Sequence, residues 1–409
     1  MRRLHWDDFA ALTRDLSSDQ RRTASIAAAA HALHDGYTDL IYIMLPLWQS
    51  EFGLDYAALG VLRGVFVGAM ASLQVPAGLL SERLGAAAVL AIGTALAGLG
   101  YCLAGASAGF AVLLCALFLG GLGASTQHPI ASALVARAFA GPRSLKALGT
   151  YNFAGDLGKM TIPATLSLML LVMAWRPALA ILGSLGVVMA AVIFVVTPRY
   201  GDEAAATAKA GTQTPLDRPR PRFAFPLLLS IGVIDSATRM GFLLFLPFVL
   251  TQKGASVQTI GLALTLVFAG GATGKLACTF IGARIGAVGT VWLTEGLTAL
   301  GILALLPLPL EPAMVLLPAI GVALNGTSSV LYGSVPDLAA PEWRTRALSI
   351  FYTGTIGSGA IAPTLYGLAG DALGISHALM LVAGMVLLTL PLAALLRPAL
   401  VRTYGSDAA

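Results

Sequence analysis

Apolar blocks, each on the order of twenty residues, recur from one end of this chain to the other, and that recurrence leaves few folds open. A helix of about 20 residues crosses a hydrocarbon core about 30 Å thick. Backbone groups left unpaired in lipid cost several kcal/mol each, so the spanning segments must be helices or the strands of a closed barrel. Period-two alternation is missing and Leu, Ala and Gly dominate, which selects helices. Only 11% of the 409 residues are charged and 57% are hydrophobic. A soluble domain carries about 25% charged residues, so one soluble core could not absorb this much apolar sequence.

The pattern predicts twelve spans, near 26–50, 57–80, 86–106, 109–136, 147–172, 177–197, 223–250, 257–280, 288–308, 312–335, 346–370 and 375–397. The organisation that follows is a polar segment over 1–25, a six-helix bundle over 26–197, a linker over 198–222, a second bundle over 223–397 and a tail over 398–409. The first segment holds Arg2, Arg3, Arg14, Arg21 and Arg22 with no apolar stretch before them, so no cleavable signal is expected. The linker from Pro198 to Arg222 mixes Gly, Ala, Thr and Pro with basic residues and reads as flexible.

Twelve spans place both termini on one side. Of the 25 Lys and Arg residues, 19 fall on that side and two, Arg176 and Lys253, on the other. That bias makes the termini and the linker cytoplasmic. It also disposes of a nucleic-acid partner, which the net charge of +5 could suggest, because the basic residues sort by membrane side and form no single patch. The three cysteines, Cys102, Cys115 and Cys278, lie within apolar blocks and read as packing residues. No metal or cofactor is expected.

The two halves repeat. Pro46 and Pro247, Arg83 and Arg284, Gly85 and Gly286, and Arg143 and Arg344 are each 201 positions apart. Lys146 and Arg346, and Pro163 and Pro363, are 200 apart. Two six-span units at a fixed offset predict a parallel repeat about an axis along the membrane normal.

Four basic residues, Arg63, Lys159, Arg239 and Lys275, lie inside spans. Burying such a group costs about 2.5–3.5 kcal/mol on insertion scales, so each is expected to face a cavity or a partner. In the first span His31, His34, Asp35, Thr38, Asp39 and Tyr42 follow the three-four spacing of one helical face. Asp35 and Asp39 are one turn apart, and two close carboxylates in low dielectric resist ionising together. That makes them, with Asp156 and His34, candidates for proton coupling. Asp35 leads, while His31 sits near the cytoplasmic end, where solvent reaches it. In the fifth span Asn152, Asp156 and Lys159 share a face, and Asp156 can pair with Lys159 at i,i+3. Asp235 and Arg239 repeat the arrangement at i,i+4. Lys159, Arg239 and Lys275 together supply fixed positive charge, balanced only partly by Asp156 and Asp235. A guanidinium fork suits a carboxylate or phosphate, so an anionic or zwitterionic solute is expected.

With twelve spans, a 6+6 repeat and a long central linker, the chain resembles the major facilitator superfamily over nearly its whole length. The segment Gly78-Leu79-Leu80-Ser81-Glu82-Arg83-Leu84-Gly85 is similar to that family's loop between helices 2 and 3, with Glu82 in place of the usual Asp. Glu82, Arg83 and Arg143 are the expected cytoplasmic latch. Two further segments, His31 to Pro46 and Gly120 to Pro129, resemble the fosmidomycin-resistance group of efflux carriers. The resemblance implies a central cavity lined by helices 1, 4, 7 and 10, with 2, 5, 8 and 11 beside them. It brings His128, Lys159, Asp235, Arg239, Lys275, Tyr42, Asn152, Asn325, Tyr332 and Tyr352 forward as substrate contacts. Glu295, on helix 9, is expected to be peripheral. The function implied is a monomeric, proton-coupled efflux carrier in a bacterial inner membrane, whose partners are a small-molecule substrate, protons and the lipid bilayer. Import of a sugar acid or organophosphate by the same fold is the alternative. A membrane sensor would add a soluble domain, and an enzyme would show a nucleophile-base pair or a metal-ligand array; neither signature is found.

Overall fold

The computed structural model describes residues 16–139, 142–198, 223–339 and 343–404, and within them the chain is helical. In chain order the rods are α1 (Ser18–Phe52), α2 (Tyr56–Ser72 and Gln74–Leu84, bent by 45°) and α3 (Ala86–Gly105). Then come α4 (Phe110–Ala138), α5 (Pro142–Met169), α6 (Trp175–Val196) and α7 (Ala224–Gln252). The run Val257–Leu305 breaks at Gly286 into α8 and α9. It is followed by α10 (Leu310–Leu338), α11 (Arg344–Leu373) and α12 (Ile375–Leu387 and Thr389–Tyr404). Eight rods are long and apolar enough to cross a membrane, or nine with the bent α2. The other three, α1, α5 and α11, have 35, 28 and 30 residues and are more polar. In α1 and α5 the mid-span charged residues Asp35, Asp39, Asp156 and Lys159 line the cavity described below. The linker and both chain ends lie outside the described residues.

The repeat is built into the turns. Gly53 and Gly254 sit in the left-handed region at φ 63° and 88°, and Gly85 and Gly286 at φ 87° and 74°. A side chain added at these four positions would meet nothing, so the backbone conformation alone calls for glycine. Two residues after the first pair, Asp55 caps α2 by accepting the Ala58 N–H (2.7 Å), and Ser256 caps α8 by accepting the Thr259 N–H (3.2 Å). All three pairs keep the offset of 201.

The halves meet through α2 against α11 and α5 against α8. On the side away from the termini one apolar core runs through both halves, joining Leu40, Trp48 and Phe66 to Phe245, Val267 and Leu317. Towards the termini it gives way to two separate cores, one around Ile130 and Val135 and one around Leu331 and Val335. Contact between α5 and α8 starts at Gln258 Nε2 and the Ser167 carbonyl (3.3 Å), passes Thr265 and Met160, and continues to Lys275 and Asp156. Beyond that level Phe153, Leu276 and Phe280 are exposed. The molecule is therefore closed on the far side and open on the side of the termini.

Asp371, at the end of α11, helps hold the far side closed. Its carboxylate accepts the backbone N–H groups of Tyr56 (2.7 Å) and Ala57 (2.9 Å) in the first turn of α2. The unpaired N–H groups and positive end of a helix dipole favour a negative charge there. Asp371→Ala should cost this contact about 1–2 kcal/mol, a shift of roughly 5- to 30-fold towards opening on that side. A spin-label pair placed across α2 and α11 at that end would report a longer-distance population. An unchanged distance distribution in the variant would assign Asp371 no part in closure.

Candidate functional site

Between the halves lies a cavity of about 290 Å³, lined from α1, α2, α4 and α5 on one side and from α7, α8, α10 and α11 on the other. Eight charged side chains reach it, four acids and four cations. Each cation has an acid within ion-pair distance. Lys159 Nζ lies 3.3 Å from Asp35 Oδ2, and Arg63 Nη2 lies 3.8 Å from Asp39 Oδ1. Arg239 Nη2 lies 2.7 Å from Asp235 Oδ2, and Lys275 Nζ lies 2.6 Å from Asp156 Oδ1. The Lys275–Asp156 pair crosses from one half to the other.

Glycine sets the α1–α5 part of the site. A Cβ at Gly158 would collide with the backbone of Ala32, and one at Gly155 would collide with His31 and Asp35. Their absence lets α5 lie against α1 with Lys159 beside Asp35. This corrects the pairing expected within α5. Asp156 and Lys159 are each engaged by another helix, Asp156 by α8 and Lys159 by α1, rather than by one another.

Around Asp35 three imidazoles converge. His31 Nε2 is 3.7 Å from Oδ2 and His34 Nε2 is 3.8 Å from Oδ1, while the His128 ring centre lies 5.3 Å and 4.8 Å from those of His31 and His34. His31 is 3% exposed, against the expectation that solvent reaches it. Asp35 and Asp39 each face a separate cation, so the repulsion suggested by their spacing is offset. His34, Asp35 and His128 bring three potential ligand atoms within 4.8 Å of one another, which could hold a metal ion. That geometry was invisible in the sequence, where His34 and His128 are far apart. Lys159 already supplies a positive charge to the same carboxylate.

Of the residues read from the sequence, Asp35, Asp39, His128, Asp156, Lys159, Asp235, Arg239, Lys275, Asn325, Tyr332 and Tyr352 all line the cavity. Three do not. His34 is buried behind Asp35. Tyr42 is fully buried and accepts a hydrogen bond from Arg63 Nε (3.1 Å), so it supports Arg63 instead of facing the cavity. Asn152 is exposed, one turn nearer the termini than Asp156. Glu82, Arg83 and Arg143 are exposed, and no ion pair joins them among the described residues.

Sequence reasoning understated two residues. Arg63 is 1% exposed, lines the cavity, and its Nη1 has no protein partner. A basic residue in mid-span with no acid on its own helix was the available signal. Glu295, expected to be peripheral, is 1% exposed, has no ion-pair partner among the described residues, and its Oε1 is buried without a hydrogen-bond partner.

The sequence profile of the Major Facilitator Superfamily matches this chain twice, over residues 27–234 and 228–407. The chain belongs to that superfamily. Its long apolar helices make it a multi-pass membrane protein. It is 26% identical to the fosmidomycin resistance protein of Escherichia coli over 273 residues, 64% of this chain and 65% of that one. It is 28% identical to a probable L-galactonate transporter of the same organism over 142 residues, 35% of this chain and 31% of that one. The chain thus spans less than two thirds of the length of either relative. Among solved structures, a bacterial homologue of the human lysosomal transporter Spinster, inward-facing and unoccupied, superposes with a TM-score of 0.77 at 15% identity, covering 95% of this chain and 98% of that one. At that identity the likeness concerns the fold.

Proposed function

We propose that this carrier moves a small organic anion or zwitterion by alternating access, coupled to protons, and that it works as an efflux protein. The single observation behind the substrate class is the set of four cation–acid pairs lining one small cavity. The expectation of an uncompensated positive field is corrected by this balance. A cation that already has an acid partner accepts a substrate anion only if the acid gives way. Protonating the acid does that, and it links substrate binding to pH. A zwitterion can instead exchange partners with a pair, its anionic group meeting the cation and its ammonium the acid. Tyr332, whose hydroxyl lies 3.0 Å from that of Thr355, and Tyr352, whose ring is tilted against it with centres 4.8 Å apart, offer neutral groups for orienting the solute.

Efflux is the direction supported by similarity to a resistance protein. Import is the second reading, and the charge pairing favours it. If the proton that displaces an anion's competitor travels with the anion, an inward proton gradient drives both inwards. The relative named for L-galactonate, a carboxylate, fits the same chemistry. Everted and right-side-out vesicles with an imposed pH gradient, screened against labelled organic anions, separate the readings. Accumulation of no anion under either gradient would remove the proposal.

Both termini and the linker are proposed to be cytoplasmic in a bacterial inner membrane, with the carrier acting as a monomer. The 19-to-2 division of basic residues supports the orientation. A cysteine at Gly211, which lies in the linker, should label with a membrane-impermeant maleimide only after the cells are opened. Labelling of intact cells would reverse the orientation.

A further inference from the structure

We propose that Asp235 and Glu295 form a proton-binding site in the second half, holding one proton between two carboxyl groups behind Arg239. This rests on the reading of the cavity as that of a proton-linked carrier.

Glu295 comes from α9, a helix that does not line the cavity, yet its side chain is 1% exposed, lies beside Asp235 of α7, and pairs with no cation among the described residues. Two neighbouring carboxylates in low dielectric resist ionising together, and one proton held between them removes the repulsion. The cations around the pair do not replace that proton. Arg239 of α7 lies 2.7 Å from Asp235 and is the one cation facing the pair among the described residues. The other titratable groups on this side are the Tyr332 hydroxyl of α10 and the Cys278 thiol of α8, both neutral in their ordinary state. Two full negative charges against one guanidinium would leave a net charge buried in the bundle, which is the costly arrangement.

The repeat sharpens the point. At the offset of 201, Asp235, Glu295 and Thr327 correspond to His34, Thr94 and Thr126, which surround a small pocket in the first half. There the Thr94 hydroxyl closes on the carbonyl of Leu90 (2.8 Å) within its own helix. The fold is satisfied with a neutral residue at this place, so packing does not dictate the acid in the second half. Glu295 Oε1 is buried without a hydrogen-bond partner, and the Thr327 hydroxyl is 2.5 Å from that of Thr294. The pair thus connects on one side to buried hydroxyl groups and on the other, through Asp235, to the cavity.

The consequence reaches the substrate. With the proton in place, one negative charge faces Arg239 and the cluster is neutral, so the remaining N–H groups of Arg239 can turn to an anion. With the proton gone, the cluster is negative and holds Arg239 against Asp235. Proton occupancy at Glu295 then sets how well Arg239 receives a substrate.

Infrared difference spectra of the purified full-length protein in lipid test this without a substrate. A protonated-carboxyl C=O band that shifts in D2O is expected near neutral pH. It should be lost in Glu295→Gln, move in Glu295→Asp and persist in Asp35→Asn. If Glu295→Gln does not fold, Asp235→Asn provides the second assignment, since removing one partner must shift the band of the other. A wild-type protein with no such band, or a band indifferent to changes at both positions, overturns the proposal. The band assigned to this pair in a protein that carries no anion would uphold the proton site and sink the anion-carrier reading instead. Anion flux whose pH profile is the same in Glu295→Gln as in wild type would leave that reading standing and sink the proton site.

Discussion

Asp35→Asn should abolish uphill accumulation of substrate while substrate exchange down no gradient remains measurable. Asp35 is buried with Lys159 at 3.3 Å and imidazoles of His31 and His34 at 3.7 and 3.8 Å. It can therefore pass between two states, paired with Lys159 or protonated with Lys159 released to the cavity. Asn keeps the shape but has one state only. Removing one member of a buried charge pair costs about 3–5 kcal/mol. The loss here should fall at the low end of that range, because the Lys159 side chain is 29% exposed and retains water. The variant should fold, insert and bind. The measurement is a pair of assays on reconstituted protein, pH-driven accumulation and counterflow with substrate on both sides. Uphill transport at the normal rate would make Asp35 structural and pass the coupling role to Asp39, Asp156 or Asp235.

The global plan of this molecule could be read from its sequence because it is written in local terms. Apolar blocks of spanning length, the charge division and turn glycines such as Gly85 and Gly286 are properties of neighbouring residues, and the superfamily match agrees with them. The Asp235–Arg239 pair was legible for the same reason, since i,i+4 spacing puts both on one helical face. Lys275 was not. Its partner Asp156 stands 119 positions away in the other half, and no spacing rule connects them. The same locality misled the reading of α5, where i,i+3 spacing suggested an Asp156–Lys159 pair. Gly155 and Gly158 admit α1 so closely that Asp35 takes Lys159 instead. Glu295 lies off the cavity as expected, but its burial at 1% exposure could not be read, because it depends on how α9 packs against distant helices. Asp371 looked like an ordinary acid at a helix end, and its value as a cap for α2 exists only once the halves are packed.

The Arg239 variants should show the largest loss of substrate affinity. Arg239 is the cavity guanidinium that is not fully buried, its side chain 21% exposed against 2% for Arg63, while Asp235, at 5%, anchors one edge of it. Truncating one partner of a desolvated, hydrogen-bonded charge pair costs about 2–5 kcal/mol, roughly 30-fold to several thousand-fold in affinity. Arg239→Ala should fall in that range. Arg239→Lys keeps the charge but loses the planar fork, so it should still weaken a carboxylate or phosphate ligand. A structural role makes a different forecast. If Arg239 served only to neutralise Asp235, then Arg239→Ala would lower expression and Asp235→Ala would restore it together with full affinity. The double variant separates the two, with affinity read by thermal shift or flux and expression followed in parallel. Glu295 adds a control, because with Asp235 removed it remains as a buried acid beside the vacated guanidinium site. The expected outcome for Arg239→Ala with Asp235→Ala is recovered expression without recovered anion affinity. Recovery of both would end the binding role of Arg239, and a substrate that proved to be a hydrophobic cation would end the wider claim of anion selectivity.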